Sequence, residues 1–240
     1  MPALPEWQSL NGATLPAPAA GRVVALVVTE GAASAGWAPA AALELTRRWA
    51  AEGARMMLVD GRLSEPSLHV AAGVPNKEGL SDATLHGASM SRVAAQPPGE
   101  HFLLVTAGTP VADPGSVARD PRWYRITGGM AEAGVTLALY LADGESASAA
   151  FLGSASDIVV LAGPDDETPM VIRDLEPLVR AVIGAGSDGD VFGEIGGGTP
   201  SPGTASTEKA SGGMGRMILF LVLAVVVAGV LGYLLTSGVG

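Results

Sequence analysis

The sequence predicts an α/β fold, a mostly parallel sheet with helices on both faces, together with one C-terminal transmembrane helix. Three observations lead there. Runs such as RVVALVVT, RMMLVD and DIVVLA are apolar at nearly every position, so both faces of each strand must be covered. Helix-length segments separate these runs, which is the order that builds parallel strands with crossover helices. Finally, Met217–Leu235 reads MILFLVLAVVVAGVLGYLL without a charge or a polar stripe. Its nineteen residues, at about 1.5 Å each, span roughly 28 Å, close to the hydrocarbon thickness of a bilayer.

In chain order, residues 1–20 are rich in Pro and Ala and read as a flexible leader. Arg22–Thr29 is the first strand. A small-residue turn leads from it into a helix over Pro39–Glu52, ended by Gly53. Arg55–Asp60, His101–Thr106, Val135–Ala142 and Asp157–Ala162 are the next four strands. A helix over 168–183 and a short strand at Val191–Ile195 close the pattern. The globular part is expected to cover 21–197 and a Gly/Ser/Pro-rich linker 198–215, with the membrane helix over 216–236. Lys209 and Arg216 precede that helix and TSGVG follows it. The positive-inside rule then expects a tail-anchored protein with its N-terminal head in the cytoplasm.

Composition removes several function classes. The chain has no cysteine, hence neither disulfides nor thiolate metal sites. A net charge of -10 argues against nucleic acid and against lying flat on an anionic leaflet. His69, His86 and His101 offer no metal-ligand pair on one face. Ala32–Gly36 reads AASAG, a degenerate nucleophile elbow around Ser34. An α/β-hydrolase needs its histidine after the later strands, and all three histidines come too early. Ser34 is therefore expected to be a turn residue.

In open parallel sheets the ligand crevice lies beyond the carboxyl ends of the strands. That rule places the turn after Thr29, Asp60, the loop after Thr106 and Asp143 along one edge.

Four segments carry a resemblance. LVDGRLSEPSLHVAAGVPNKEGLSDATLHG (Leu58–Gly87), LLVTAGTPVADP (Leu103–Pro114), SASDIVVLA and DVFGEIGG occur in this order. Together they resemble the cytoplasmic ATPase domain of bacterial polysaccharide-export tyrosine kinases and their ParA- and MinD-like P-loop relatives. The resemblance implies a P-loop NTPase-like fold. In that family a Pro-Gly-Glu-Gly-Lys-Ser/Thr loop wraps a phosphate with backbone N–H groups, neutralises it with Lys and holds magnesium through the hydroxyl.

The departures fall where that chemistry would be. Gly36 holds the last glycine, Trp37 falls at the lysine and Ala38 at the hydroxyl. Pro39 removes an N–H from the helix start. Asp60 remains, but Arg62 stands where the family has its metal-directing aspartate. Asp143 corresponds to the acidic residue after the fourth strand, and Gly197 stands near an adenine-contacting asparagine. Gly31, Ser34, Gly36, Trp37, Ala38, Asp60, Arg62 and Asp143 thus form a vestigial nucleotide site. No catalytic residue, metal or cofactor is expected.

Trp37 either packs across the vacated phosphate position, the favoured reading, or faces a partner. Asp60 and Asp143 are expected to cap or bond neighbouring loops. The resemblance implies a pseudo-ATPase anchored in the bacterial inner membrane that serves as scaffold or regulator in capsule or exopolysaccharide synthesis or export, with a polysaccharide co-polymerase as protein partner. The alternative is a residual ATP-binding enzyme using Asp60 and Arg62. Ala224, Ala228 and Gly232 form a small-xxx-small stripe that would permit a homodimer in the membrane. The tyrosine cluster of the kinases is absent before the membrane, and Tyr233 lies inside the helix.

Overall fold

The computed structural model describes residues 15–163 and 165–184 of the 240. All belong to the first of the two units into which the chain divides, Met1–Phe192. Among the described residues no helix is long and apolar enough to cross a membrane. The expected linker, the membrane segment with Ala224, Ala228 and Gly232, and the expected strand at Val191–Ile195 lie outside them.

Strands β1 (Val23–Val28), β2 (Met56–Asp60), β3 (Ala94–Ala95), β4 (Leu103–Val105), β5 (Thr136–Ala142), β6 (Asp157–Ala162) and β7 (Val179–Gly184) form one sheet. Its order is β3-β4-β2-β5-β1-β6-β7. Every pairing is parallel except the short β3 against β4. Every residue of β1, β2 and β5 is buried, as continuous apolar runs in a sheet covered on both faces require. In register, Val28 pairs with Ala142 and Leu161, and Asp60 with Tyr140. The carboxyl ends of β2, β5, β1 and β6 therefore open at one edge.

The helices, in chain order, are α1 (Glu30–Ala35), α2 (Ala38–Ala51), α3 (Leu68–Ala71), α4 (Leu80–Leu85), α5 (Met90–Val93), α6 (Pro114–Arg119), α7 (Pro121–Glu132) and α8 (Ser148–Leu152). In α2, Ala38, Ala41, Ala42, Leu45 and Trp49 recur at helical spacing and are fully buried on one sheet face. The indole Nε1 of Trp49 donates to the Leu15 carbonyl at 3.1 Å. On the other helical layer, α7 begins at Pro121 behind the Asp120 cap and buries Trp123, Thr127 and Met130. Trp123 meets Phe151 of α8 edge to face, centroids 5.1 Å apart.

Three expectations need correction. The segment 168–183 is not a helix but 3₁₀ turns at Met170–Ile172 and Glu176–Leu178 followed by β7. Pro169 and Pro177 supply no N–H to a helix, and Val179, Val182 and Ile183 favour an extended chain. The last residues of the leader are not loose: Leu15 is buried, Ala17 N donates to Glu52 at 3.0 Å, and Ala19 O accepts from Thr136 at 3.1 Å. Finally, the small-residue turn after β1 is largely helical, and it shapes the site.

Candidate functional site at the carboxyl edge of the sheet

Thr29 ends β1 and begins α1. Its hydroxyl accepts the Ala32 amide at 3.3 Å, an N-cap, and Glu30 adds an acidic first turn. The Ala33 amide donates to Thr29 O and the Gly36 amide to Ala33 O, both at 3.0 Å. These N–H groups, which a phosphate loop leaves free and convergent, are committed within the chain. Gly36 then takes a left-handed conformation, φ +77°, available to glycine without strain. It turns the chain into α2.

The start of α1 is also covered. The Asp166 carboxylate bonds the Thr29 hydroxyl and accepts the Gly163 amide at 2.6 Å. It lies so close to Gly31 that any side chain there would collide with it.

Asp60, fully buried at the end of β2, accepts three backbone amides: Arg62 at 3.2 Å, Ser67 at 3.1 Å and Leu68 at 3.0 Å. It folds the β2–α3 loop around itself and caps α3. Burial pushes its pKa up to about 6 from 3.8, against the pull of these amides and of the Arg62 guanidinium. The Tyr140 hydroxyl, buried beside Asp60, is likewise pushed up by burial, against the pull of Ser67 and the Arg62 guanidinium next to it. Arg62 is 9% exposed; its Nη2 donates to Glu65 at 3.2 Å, while its Nε is buried without an acceptor.

Between these walls lies an open cleft of about 730 Å³. Ser34, Arg62 and Asp143 of the expected site line it. Thr29, Ser64 and Ser67 add hydroxyls, and Glu30, Glu65 and Glu145 add carboxylates. Glu145 Oε1 accepts the Ser64 amide at 3.0 Å, whereas its Oε2 is buried without a donor. Four carboxylates, counting Asp143, therefore face one guanidinium. Two unit charges about 5 Å apart interact by about 0.8 kcal/mol in water and about 3 kcal/mol at an effective dielectric of about 20. A polyphosphate here meets net repulsion.

The structure does not gather the whole expected set. Gly31, Gly36, Trp37, Ala38 and Asp60 are absent from the cleft lining. Trp37 is half-buried against the core, with Ala38 fully buried beside it. The space-filling role expected of Trp37 is thus not how the site is shaped, because winding residues 30–35 into α1 carries residue 37 away from the cleft. The loop after Thr106 was also expected at this edge. It leaves β4 at that edge, as the parallel pairing with β2 requires, but does not line the cleft, and it holds Asp82, which accepts Gly79 N at 2.9 Å, Thr109 N at 3.0 Å and the Thr109 hydroxyl at 2.7 Å. Burial of Asp82 opposes ionisation, but these bonds outweigh it and hold its pKa below the usual carboxylate range.

Sequence reasoning missed Glu30, Glu65, Glu145 and Asp166. Their signal was the density of acids flanking the expected site, visible as Thr-Glu at the turn and Asp-Gly-Glu after β5. The segment after β1 carries no lysine, the amides of Ala32, Ala33 and Gly36 are committed within the chain, and carboxylates line the cleft, a set that does not favour a magnesium nucleotide. Among the described residues no group of three or more His, Asp or Glu is placed to hold a metal ion.

Comparison with solved structures agrees with the fold. The kinase domain of the Escherichia coli tyrosine kinase ETK superposes with a TM-score of 0.59 at 16% identity, over 68% of this chain and 67% of that one. The chimerical protein CapA2B2 gives 0.57 at 16% identity, over 69% and 76%. The cell division ATPase MinD of Pyrococcus furiosus gives 0.52 at 16%, over 68% and 70%. No protein-family model matches the chain, and no curated protein matches it. The chain thus has the fold of bacterial tyrosine kinase domains and MinD-like P-loop ATPases.

Proposed function

We propose that this chain is a catalytically inactive member of the P-loop ATPase and bacterial tyrosine kinase group, retained as a binding scaffold or regulator. The observation that carries this reading is the conversion of the segment after β1 into a capped helix, with the amides of Ala32, Ala33 and Gly36 committed within it. Loss of lysine and hydroxyl at Trp37 and Ala38 and the acidic lining support it. Phosphoryl transfer depends on positioning and charge neutralisation, and both are undone here.

The setting we propose, capsule or exopolysaccharide synthesis or export with a membrane co-polymerase as partner, rests on the resemblance of the sequence. Membrane attachment by Met217–Leu235, with the head in the cytoplasm, rests on hydropathy and the flanking charges, and its placement in the bacterial inner membrane on the resemblance. Pairing of two copies through Ala224, Ala228 and Gly232 belongs to the same proposal.

Titrating the full-length chain, purified in a mild detergent, with labelled ATP and magnesium tests the central reading. The expected result is no saturable binding. Micromolar, magnesium-dependent binding that weakens in Asp60→Asn or Arg62→Ala would overturn it in favour of a residual ATP-binding enzyme.

A further inference from the structure

The connection from β6 to β7 crosses the carboxyl edge without an α-helix. Parallel strands are usually joined by a helix whose packing on the sheet holds the crossover down. Here, over residues 165–172, only Pro169 and Ile172 are buried, while Asp165, Glu167 and Met170 are exposed. A segment with so little apolar burial opens locally at low free energy unless other contacts fasten it.

Two polar fastenings are present, and each ends on a residue that lines the cleft. At the first, the Asp166 carboxylate bonds the Thr29 hydroxyl and accepts the Gly163 amide at 2.6 Å. At the second, the Val171 amide donates to Asp143 Oδ1 at 3.4 Å. The place taken by Asp166 is bracketed by two glycines: a side-chain carbon on Gly163 would stand 2.9 Å from its carboxylate, and one on Gly31 would overlap it. The segment is pinned by buried residues on either side, Gly163 and Ile172, so loss of one fastening loosens the other.

We propose that residues 165–172 form a releasable strap, latched at Asp166 and at Val171, that opens and closes as one unit over the carboxyl edge. Thr29 and Asp143 both line the cleft, so the closed strap engages a hydroxyl and a carboxylate that an occupant could otherwise use. Release frees both together. An occupant that takes either group competes with closure, and linkage makes that competition mutual. The device stands whether or not the chain binds nucleotide.

Hydrogen exchange of the full-length chain in mild detergent, read by mass spectrometry, tests the latch. Asp166→Ala should speed exchange of the Asp166 and Val171 amides by about tenfold, the scale of losing hydrogen bonds to a partly exposed carboxylate, while β1, β5 and β6 keep their protection. Thr29→Val should do the same to the strap, Thr29→Ser should not because it keeps the hydroxyl, and the double variant Thr29→Val/Asp166→Ala should add little to either single change. Glu167→Ala, which removes a charge from the same segment, should leave exchange as it is. Asp143→Ala should speed the Asp166 amide as well as the Val171 amide.

An effect of Asp143→Ala that stops at Val171 would mean two separate contacts and would overturn the strap. Equal acceleration in β1, β5 and β6 with Asp166→Ala, accompanied by a lower urea midpoint, would make Asp166 an ordinary stabilising residue. No acceleration in Asp166→Ala would remove the latch outright.

Discussion

Asp60 makes a prediction opposite in sign to that of most paired carboxylates. Its pKa in the folded chain is about 6 against an ordinary 3.8, so the folded state holds a proton that the unfolded state has released. Between these values the unfolded chain binds fewer protons, and stability falls as pH rises. The limiting size is about 3 kcal/mol, of which about half is lost between pH 5 and pH 7. Asp60→Asn cannot titrate. It mismatches one of the three amides at every pH, which adds a constant offset and leaves the slope to report the ionisation.

Urea unfolding of the full chain, followed by the fluorescence of the buried Trp49 and Trp123, should show wild-type losing about 1.4 kcal/mol relative to Asp60→Asn between pH 5 and pH 7. A flat difference would refute the reasoning. So would wild-type gaining on the variant as pH rises, since that would mean the three amides and Arg62 overcome burial.

Other predictions follow from single contacts. Asp82→Asn should destabilise by about 1–3 kcal/mol, since it weakens bonds that join α4 to the loop after β4. Because the pKa of Asp82 is lowered, its stabilisation is present above the usual carboxylate pKa and lost as pH falls through its own value, so the variant should flatten the acid limb. Gly31→Ala drives a methyl group into Asp166; accelerated proteolysis of the 163–167 loop with little change in global unfolding would mark local displacement. Gly128→Ala, in the middle of α7 with open space around the added methyl, should stabilise by about 0.5–1 kcal/mol in a urea titration. An unchanged midpoint there would show that α7 is not limiting for stability.

The parts of the fold legible in the sequence were those where composition and structure share one cause. β1, β2, β5 and β6 are continuous apolar runs because they are buried on both faces, and that pattern survives in one dimension. β7 was hidden because its β-branched residues follow two prolines and alternate with Arg180 and Ala181 at a sheet edge. α1 was hidden by composition: Gly-Ala-Ala-Ser-Ala suits a loop as readily as a helix. The discriminating signal was the Thr29–Glu30 start, a cap followed by an acidic first turn. The expected site was half legible. Arg62, Ser34 and Asp143 do line one cleft, because strand order brings separate loops to one edge. The commitment of the Asp60 carboxylate to Ser67 and Leu68 depends on a loop path that spacing does not encode.

That commitment bears on how such a chain can drift. At positions 37 and 38 a nucleotide-binding protein needs a cation and a hydroxyl for chemistry alone, and once chemistry is no longer selected, folding tolerates Trp or Ala there. Position 60 is different, since its carboxylate organises Arg62, Ser67 and Leu68 whether or not anything binds. An aspartate at the end of this strand is thus held by two independent filters, and removal of one leaves the other in force. The presence of that aspartate in a chain is therefore, by itself, no sign of turnover.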